Sequence, residues 1–146
     1  MSMTIKGISD ATQALLKSMT TPKFVDVFPA PESKDTKFTG YPSVVHFYEN
    51  TENGYATVTQ NRRVIKHNIY VYMVGVGDNE IEKWQNGIEM VDKIIQEFDE
   101  SIDLGGACDI MRPAPGEMSK ASLGGGEGLI AEIILYCEAD VTFRNA

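Results

Sequence analysis

The chain has 146 residues, 42% hydrophobic and 23% charged, and a formal net charge of -8. That length fits one domain, residues 1–146, able to bury roughly two-thirds of its unfolded surface without cross-links. The acid excess argues against an autonomous nucleic-acid binder, which needs a basic footprint to neutralise phosphates.

Two cysteines, Cys108 and Cys137, are too few for a disulfide framework and suit a reducing compartment. The first ten residues lack the charged start and apolar run of a signal peptide. No apolar segment nears the eighteen or so residues that cross a bilayer. A soluble protein with no membrane partner is expected.

Thr4 to Met19 place Ile5, Ile8, Ala11, Leu15, Leu16 and Met19 at helical spacing, with Ser9 and Asp10 as starters. Pro22 marks the end, because proline disfavours helix in the residue before it. Phe24 to Ala30 predict a short edge strand closed by Pro29 and Pro31. Glu32 to Thr39 form a polar loop, and Gly40-Tyr41-Pro42 turn the chain into a second strand, S-V-V-H-F-Y-E-N. The polar segment Asn50 to Asn61 contains Asn53-Gly54, a hairpin turn signal. The expected hairpin tip, with Asn53, Gly54 and Tyr55, projects into solvent or toward a partner.

Val64 to Gly75 give the strongest strand signal, with Ile65, Ile69, Val71 and Met73 on one face. Lys66, Asn68, Tyr70 and Tyr72 make the other face, which reads either as a contact surface or as packing under the N-terminal helix. Glu80 to about Phe98 predict a long helix with an apolar stripe of Ile81, Trp84, Ile88, Val91, Ile95 and Phe98. Asn79 is its N-cap, with Glu82 three residues on. After Asp103-Leu104-Gly105-Gly106 comes a strand over Ala107 to Met111. A long Pro/Gly-rich loop from Arg112 to Gly128 and a closing strand from Leu129 follow. The elements predict an α+β fold: a mostly antiparallel sheet of four to five strands, with an N-terminal helix and one long helix packed on it.

Chemical motifs are weak. Gly75-Val76-Gly77-Asp78-Asn79-Glu80 joins a strand to a helix as a dinucleotide turn does, but its acids repel a pyrophosphate, and a tight turn with a helix cap is favoured. Gly124 to Gly128 lack the Lys-Ser/Thr of a phosphate loop. His46, His67, Cys108 and Cys137 have no short metal-ligand spacing, and no local Cys–His pair suggests a nucleophile. Glu97, Asp99, Glu100 and Asp103 read as a solvated acidic face. No catalytic residue, cofactor or metal is assigned. Arg62 and Arg63 are the one adjacent basic pair in an acidic chain. They suit contact with a carboxylate on an identical subunit, and a solvated strand end explains them equally well.

The order of motifs resembles the tail terminator, or tail-completion, proteins of long-tailed bacteriophages. It runs G-Y-P-S-V-V-H-F-Y-E (Gly40 to Glu49), N-R-R-V-I-K-H-N-I-Y-V-Y (Asn61 to Tyr72), the long helix, D-L-G-G and a closing apolar strand. The likeness spans about residues 5 to 140; head-completion and other neck proteins share much of it. It implies a non-enzymatic virion protein, assembled in the host cytoplasm as a homohexameric ring. The ring caps the tail-tube protein and faces the head–tail connector, while DNA passes its acidic lumen without specific binding. On this resemblance the hairpin and the Pro/Gly loop make the contacts, with Arg62, Arg63, Asn53, Gly54, Tyr55, Arg112, Glu117 and Lys120 as interface residues. The competing readings are a small α+β ligand-binding enzyme and a sheet-surface RNA binder, the latter opposed by the charge. Asp at Ile69 or Ile88 is expected to abolish folding, and charge reversal at Arg62 and Arg63 to spare it.

Overall fold

The computed structural model describes residues 3–33, 36–55, 60–123 and 126–142, without the side chains of residues 53–55, 60, 61, 141 and 142. The first helix, α1, runs Ile5–Ser18. Its N-cap is Thr4, whose hydroxyl accepts from the Gly7 N–H at 2.9 Å. Ser9 and Asp10, expected to start it, lie inside, because the extended Thr4 already satisfies a free N–H of the first turn.

Five strands make one sheet: β1 (Val27–Phe28), β2 (Ser43–Tyr55), β3 (Gln60–Val74), β4 (Ile110–Leu123) and β5 (Gly126–Thr142). Their spatial order is β1-β2-β3-β5-β4, and every pairing except the parallel β1–β2 is antiparallel. The fold is α+β, as the periodicities predict.

Two loops expected from composition are strands instead. Asn53 and Gly54 do not turn the chain: they face Arg63 and Arg62 across the β2–β3 ladder, and Tyr55 faces Asn61. Residues 56–59, which join the two strands, lie outside the described residues. The Arg112–Gly128 segment is β4 and the beginning of β5, Gly124 and Gly125 lying outside the described residues. Its prolines, Pro113 and Pro115, are accommodated because β4 is an edge strand, where a nitrogen without a proton can face away from the ladder. A bulge between Pro115 and Met118 absorbs Gly116 and Glu117. The strand expected from Ala107 begins only at Ile110, since 101–108 form successive turns with Leu104 at a positive φ of 50°.

The second helix, α2, spans Glu80–Asp99. Asn79 Oδ1 accepts from the Glu82 N–H at 2.9 Å, and the Glu82 carboxylate accepts from the Asp78 N–H at 2.9 Å. This is a capping box displaced by one residue on its return bond. The helix is rotated from its expected stripe. Its buried residues are Gly87, Val91, Ile94 and Phe98, whereas Ile81 is 76% exposed and Ile88 38%. The cause is Gly87: a Cβ there would lie 2.6 Å from Leu129 Cδ1. The bare glycine lets the helix axis approach β5, and glycine adds nothing to an apolar stripe read from sequence.

Both helices cover the same sheet face. α1 lies over β1, β2 and β3, and α2 over β4 and β5. Between them and the sheet sit Ile8, Leu16, Ile94 and Phe98 against Ile65, Ile69, Val71, Met73, Ile133, Leu135 and Cys137. Among the described residues, no helix covers the opposite face. At one corner the chain before β2 folds over it, with the Phe38 ring 4.9 Å from Tyr72 and the Tyr72 hydroxyl donating to Glu32 at 2.7 Å. Tyr70 and Tyr72 therefore do not pack beneath α1. Among the described residues, no helix is long and apolar enough to cross a membrane.

The rotated register buries Ile94, which lies outside the expected stripe, and leaves Ile88, which lies inside it, 38% exposed; this corrects the expectation that Asp at Ile88 abolishes folding. Ile94→Ala should cost about 2–5 kcal/mol, as for a fully enclosed side chain. Ile88→Ala should cost less than about 1 kcal/mol, and Ile88→Asp should leave the protein folded. Urea unfolding of the three variants checks the order.

Candidate assembly surfaces

The sheet brings some of the interface candidates together and separates others. Arg62, Arg63, Asn53, Gly54, Tyr55 and Arg112 gather at one end, where β2 and β3 pair and β4 begins. Lys120 lies at the opposite end, donating to Glu80 at the start of α2 at 2.8 Å. Glu117 sits between, exposed in the β4 bulge.

At the first end a carboxylate is clamped across three strands. Glu138 of β5 is 5% exposed on the open face. It accepts from Arg62 of β3 (Nε at 3.2 Å, with an Nη at 3.1 Å) and from Arg112 of β4. Arg62 also reaches Asp140 at 3.6 Å. Glu138 is so enclosed that losing a cationic partner would leave charge in a poorly solvated place. Arg62 and Arg112 therefore help to hold the sheet, which corrects the expectation that reversing Arg62 spares folding. The sequence gives one hint of the clamp: an acid in the closing strand at a position facing the open side.

The rest of the open face sets aromatic rings among polar and charged groups. Phe47 stacks on Tyr70 with centroids 5.6 Å apart. The Tyr70 hydroxyl donates to Glu132 at 2.9 Å, and that bond raises its pKa, since ionisation would set two anions together. Lys66 Nζ lies 5.6 Å over Tyr136 and 2.9 Å from Glu52. Between Phe47 and Ile134, in the central strand, Asn68 is buried with its Oδ1 unpartnered.

On the other layer, α2 carries a second apolar surface. At 100° per residue, Ile81, Ile88 and Ile95 share one flank, with Trp84 at its inner margin. Ile81 and Trp84 border a shallow hollow shared with Lys120, so this flank overhangs β4. Beneath it a hollow of about 450 Å³ lies between α2 and the β4–β5 hairpin. Trp84 and Leu129 line it, and the Lys120–Glu80 and Lys83–Glu127 ion pairs border it.

Under α1 runs a buried polar chain. Gln13 Nε2 donates to the Val27 carbonyl at 3.0 Å, which turns Gln13 Oε1 toward His46 Nε2 at 2.6 Å. His46 Nε2 must then carry the proton, so His46 Nδ1 accepts from His67 Nε2 at 2.8 Å. His67 Nδ1 is left as a buried lone pair with no partner. Burial lowers the His46 pKa to about 4; burial and the adjacent His46 lower that of His67 to about 3. Both imidazoles are neutral at pH 7.

Cys108 and Cys137, far apart in sequence, also meet in the core. Their mutual hydrogen bond and burial push the Cys137 thiol well above its ordinary value, while the same bond lowers that of Cys108, whose Sγ lies 3.5 Å from the Asp103 carbonyl. A protonated, enclosed thiol is a poor nucleophile. Among the described residues, no three His, Cys, Asp or Glu side chains converge as a metal site requires.

No known family model matches the chain, and no curated protein is significantly similar to it.

The neutral histidines set the sign of the acid response. The unfolded chain takes up protons near pH 6.5, which the folded chain resists down to about pH 4 and 3. Their contribution is complete above pH 6.5 and is lost as the pH falls toward 4, by about 1 kcal/mol per pH unit for each. Denaturant unfolding between pH 7.5 and 4.5 should show this loss, and His67→Leu should flatten it. At pH 7.5, Arg62→Glu should lower stability by about 2–4 kcal/mol, read from the same curves.

Proposed function

We propose that this chain is a structural protein of the neck of a long-tailed bacteriophage. Copies of it assemble into a six-membered ring that caps the tail tube and joins it to the head connector. One observation carries the reading: a small α+β unit with the tail-terminator order of motifs exposes apolar surface on both layers. These surfaces are the α2 flank around the exposed Ile81 and Ile88 and, on the sheet, the half-buried rings of Phe47, Tyr70 and Tyr136. Isolated apolar residues on a surface need no explanation, but contiguous ones mark contact sites. The net charge of -8 suits a passage through which DNA slides without adhering. On this reading the protein is not an enzyme. Its partners are its own copies, the tube protein and the connector, and its place is the virion neck.

Light scattering on the purified protein should give a mass of six chains, either alone or after addition of tail tubes, and electron microscopy should show rings at tube ends. A protein that stays monomeric and never binds tubes refutes the reading; rings bound only to head connectors assign it to head completion instead. The hollow under Trp84 favours a second reading, a ligand-binding α+β domain, which predicts a saturable thermal shift with a small apolar ligand.

A further inference from the structure

Resting on that ring, we propose that its subunits join head to tail, the apolar flank of α2 on one copy docking against the lysine-bearing flank of α1 on the next. The two helices lie over opposite ends of the strand order and carry opposite charge. α1 holds Lys6 and Lys17 against Asp10, a net of +1. α2 holds six acids, Glu80, Glu82, Glu89, Asp92, Glu97 and Asp99, against Lys83 and Lys93, a net of -4. A two-fold contact through α2 would set -4 against -4, whereas a heterologous contact sets -4 against +1.

The charges sit on the flanks that would meet. Asp92 and Asp99 share the outward flank of α2 with Ile81, Ile88 and Ile95. Lys6 and Lys17 share a flank of α1 with Gln13 and with Asp10, which pairs with Lys6, so Lys17 supplies the net charge of this flank. Gln13 reaches Val27 of β1, the strand at the far edge of the sheet. The lysines therefore overhang one end of the molecule and the aspartates the other. Such a contact uses unlike surfaces on each copy, so both remain available at the ends of any chain of subunits until it closes. It also covers Ile81, whose 76% exposure the isolated subunit leaves unexplained.

The test uses the full chain and four variants: Ile81→Asp/Ile88→Asp, Asp92→Lys/Asp99→Lys, Lys6→Glu/Lys17→Glu, and the last two combined. All altered side chains are exposed, so circular dichroism and thermal unfolding should match the wild type within a few degrees. By light scattering and sedimentation, the isoleucine variant should associate about 100-fold more weakly or be monomeric. Each charge reversal alone should weaken association about tenfold, and the combination should restore most of it. An oligomer unaffected by Ile81→Asp/Ile88→Asp, or charge reversals that do not rescue each other, overturns the pairing of these two flanks while leaving a ring joined through other surfaces intact. A wild-type chain that is monomeric even on tail tubes overturns both.

Discussion

Everything in this molecule depends on both helices occupying one face of the sheet. A five-stranded, mostly antiparallel sheet has two faces to satisfy, and the two helices cover only one. β5, between β3 and β4, takes the greatest cover: its residues from Leu129 to Cys137 on the helical side are enclosed. Gly87 sets how close that cover comes, and Leu129 is the surface it meets. The uncovered face is held by other means. A few rings stack on one another, and one carboxylate is gripped by guanidinium groups from the strands on either side.

This arrangement separates stability from contact. The residues that hold the fold lie between the layers, where truncation opens cavities. The residues available to other molecules lie on the outer sheet face and along one flank of α2, where substitution leaves the core untouched. Arg62 and Arg112 belong to both groups. Their charged ends are partly exposed while they neutralise an enclosed acid. Residues of that kind resist reassignment, since changing them for the sake of a partner alters the sheet as well.

Much of the fold was legible because it is written in periodicity. β3 and α2 differ from their expected bounds by a few residues at most, and the Asn79 cap is where the acid three residues on places it. Composition misled where neighbours outvoted it. Pro113, Pro115 and Gly116 read as a loop, but β4 needs only to satisfy one side of its backbone, and β5 offers a partner along almost its whole length. Asn53-Gly54 is a favourable turn in isolation, yet the two strands pair past it. The helix phase is not legible in the apolar stripe, because a glycine at the centre of the buried face is silent in any hydrophobic count. The surfaces were the least legible part. A flank becomes exposed through what lies elsewhere in the chain, and no local pattern announced that Ile81 would be left uncovered or that His46 would find His67.

That last encounter has a consequence for how the chain reaches its structure. His46 and His67 come from neighbouring strands, and Gln13 from the helix above them, so the hydrogen-bonded row exists in only one alignment of the three. A slip of β2 by a single residue would turn His46 to the opposite face and leave Gln13 without its acceptor-side partner. The apolar residues around them would tolerate such an error far better, since Val44 and Val45 are neighbours of the same type. The imidazole pair thus acts as a proofreading device for strand register, marking one alignment as correct among several that the hydrophobic pattern alone would accept.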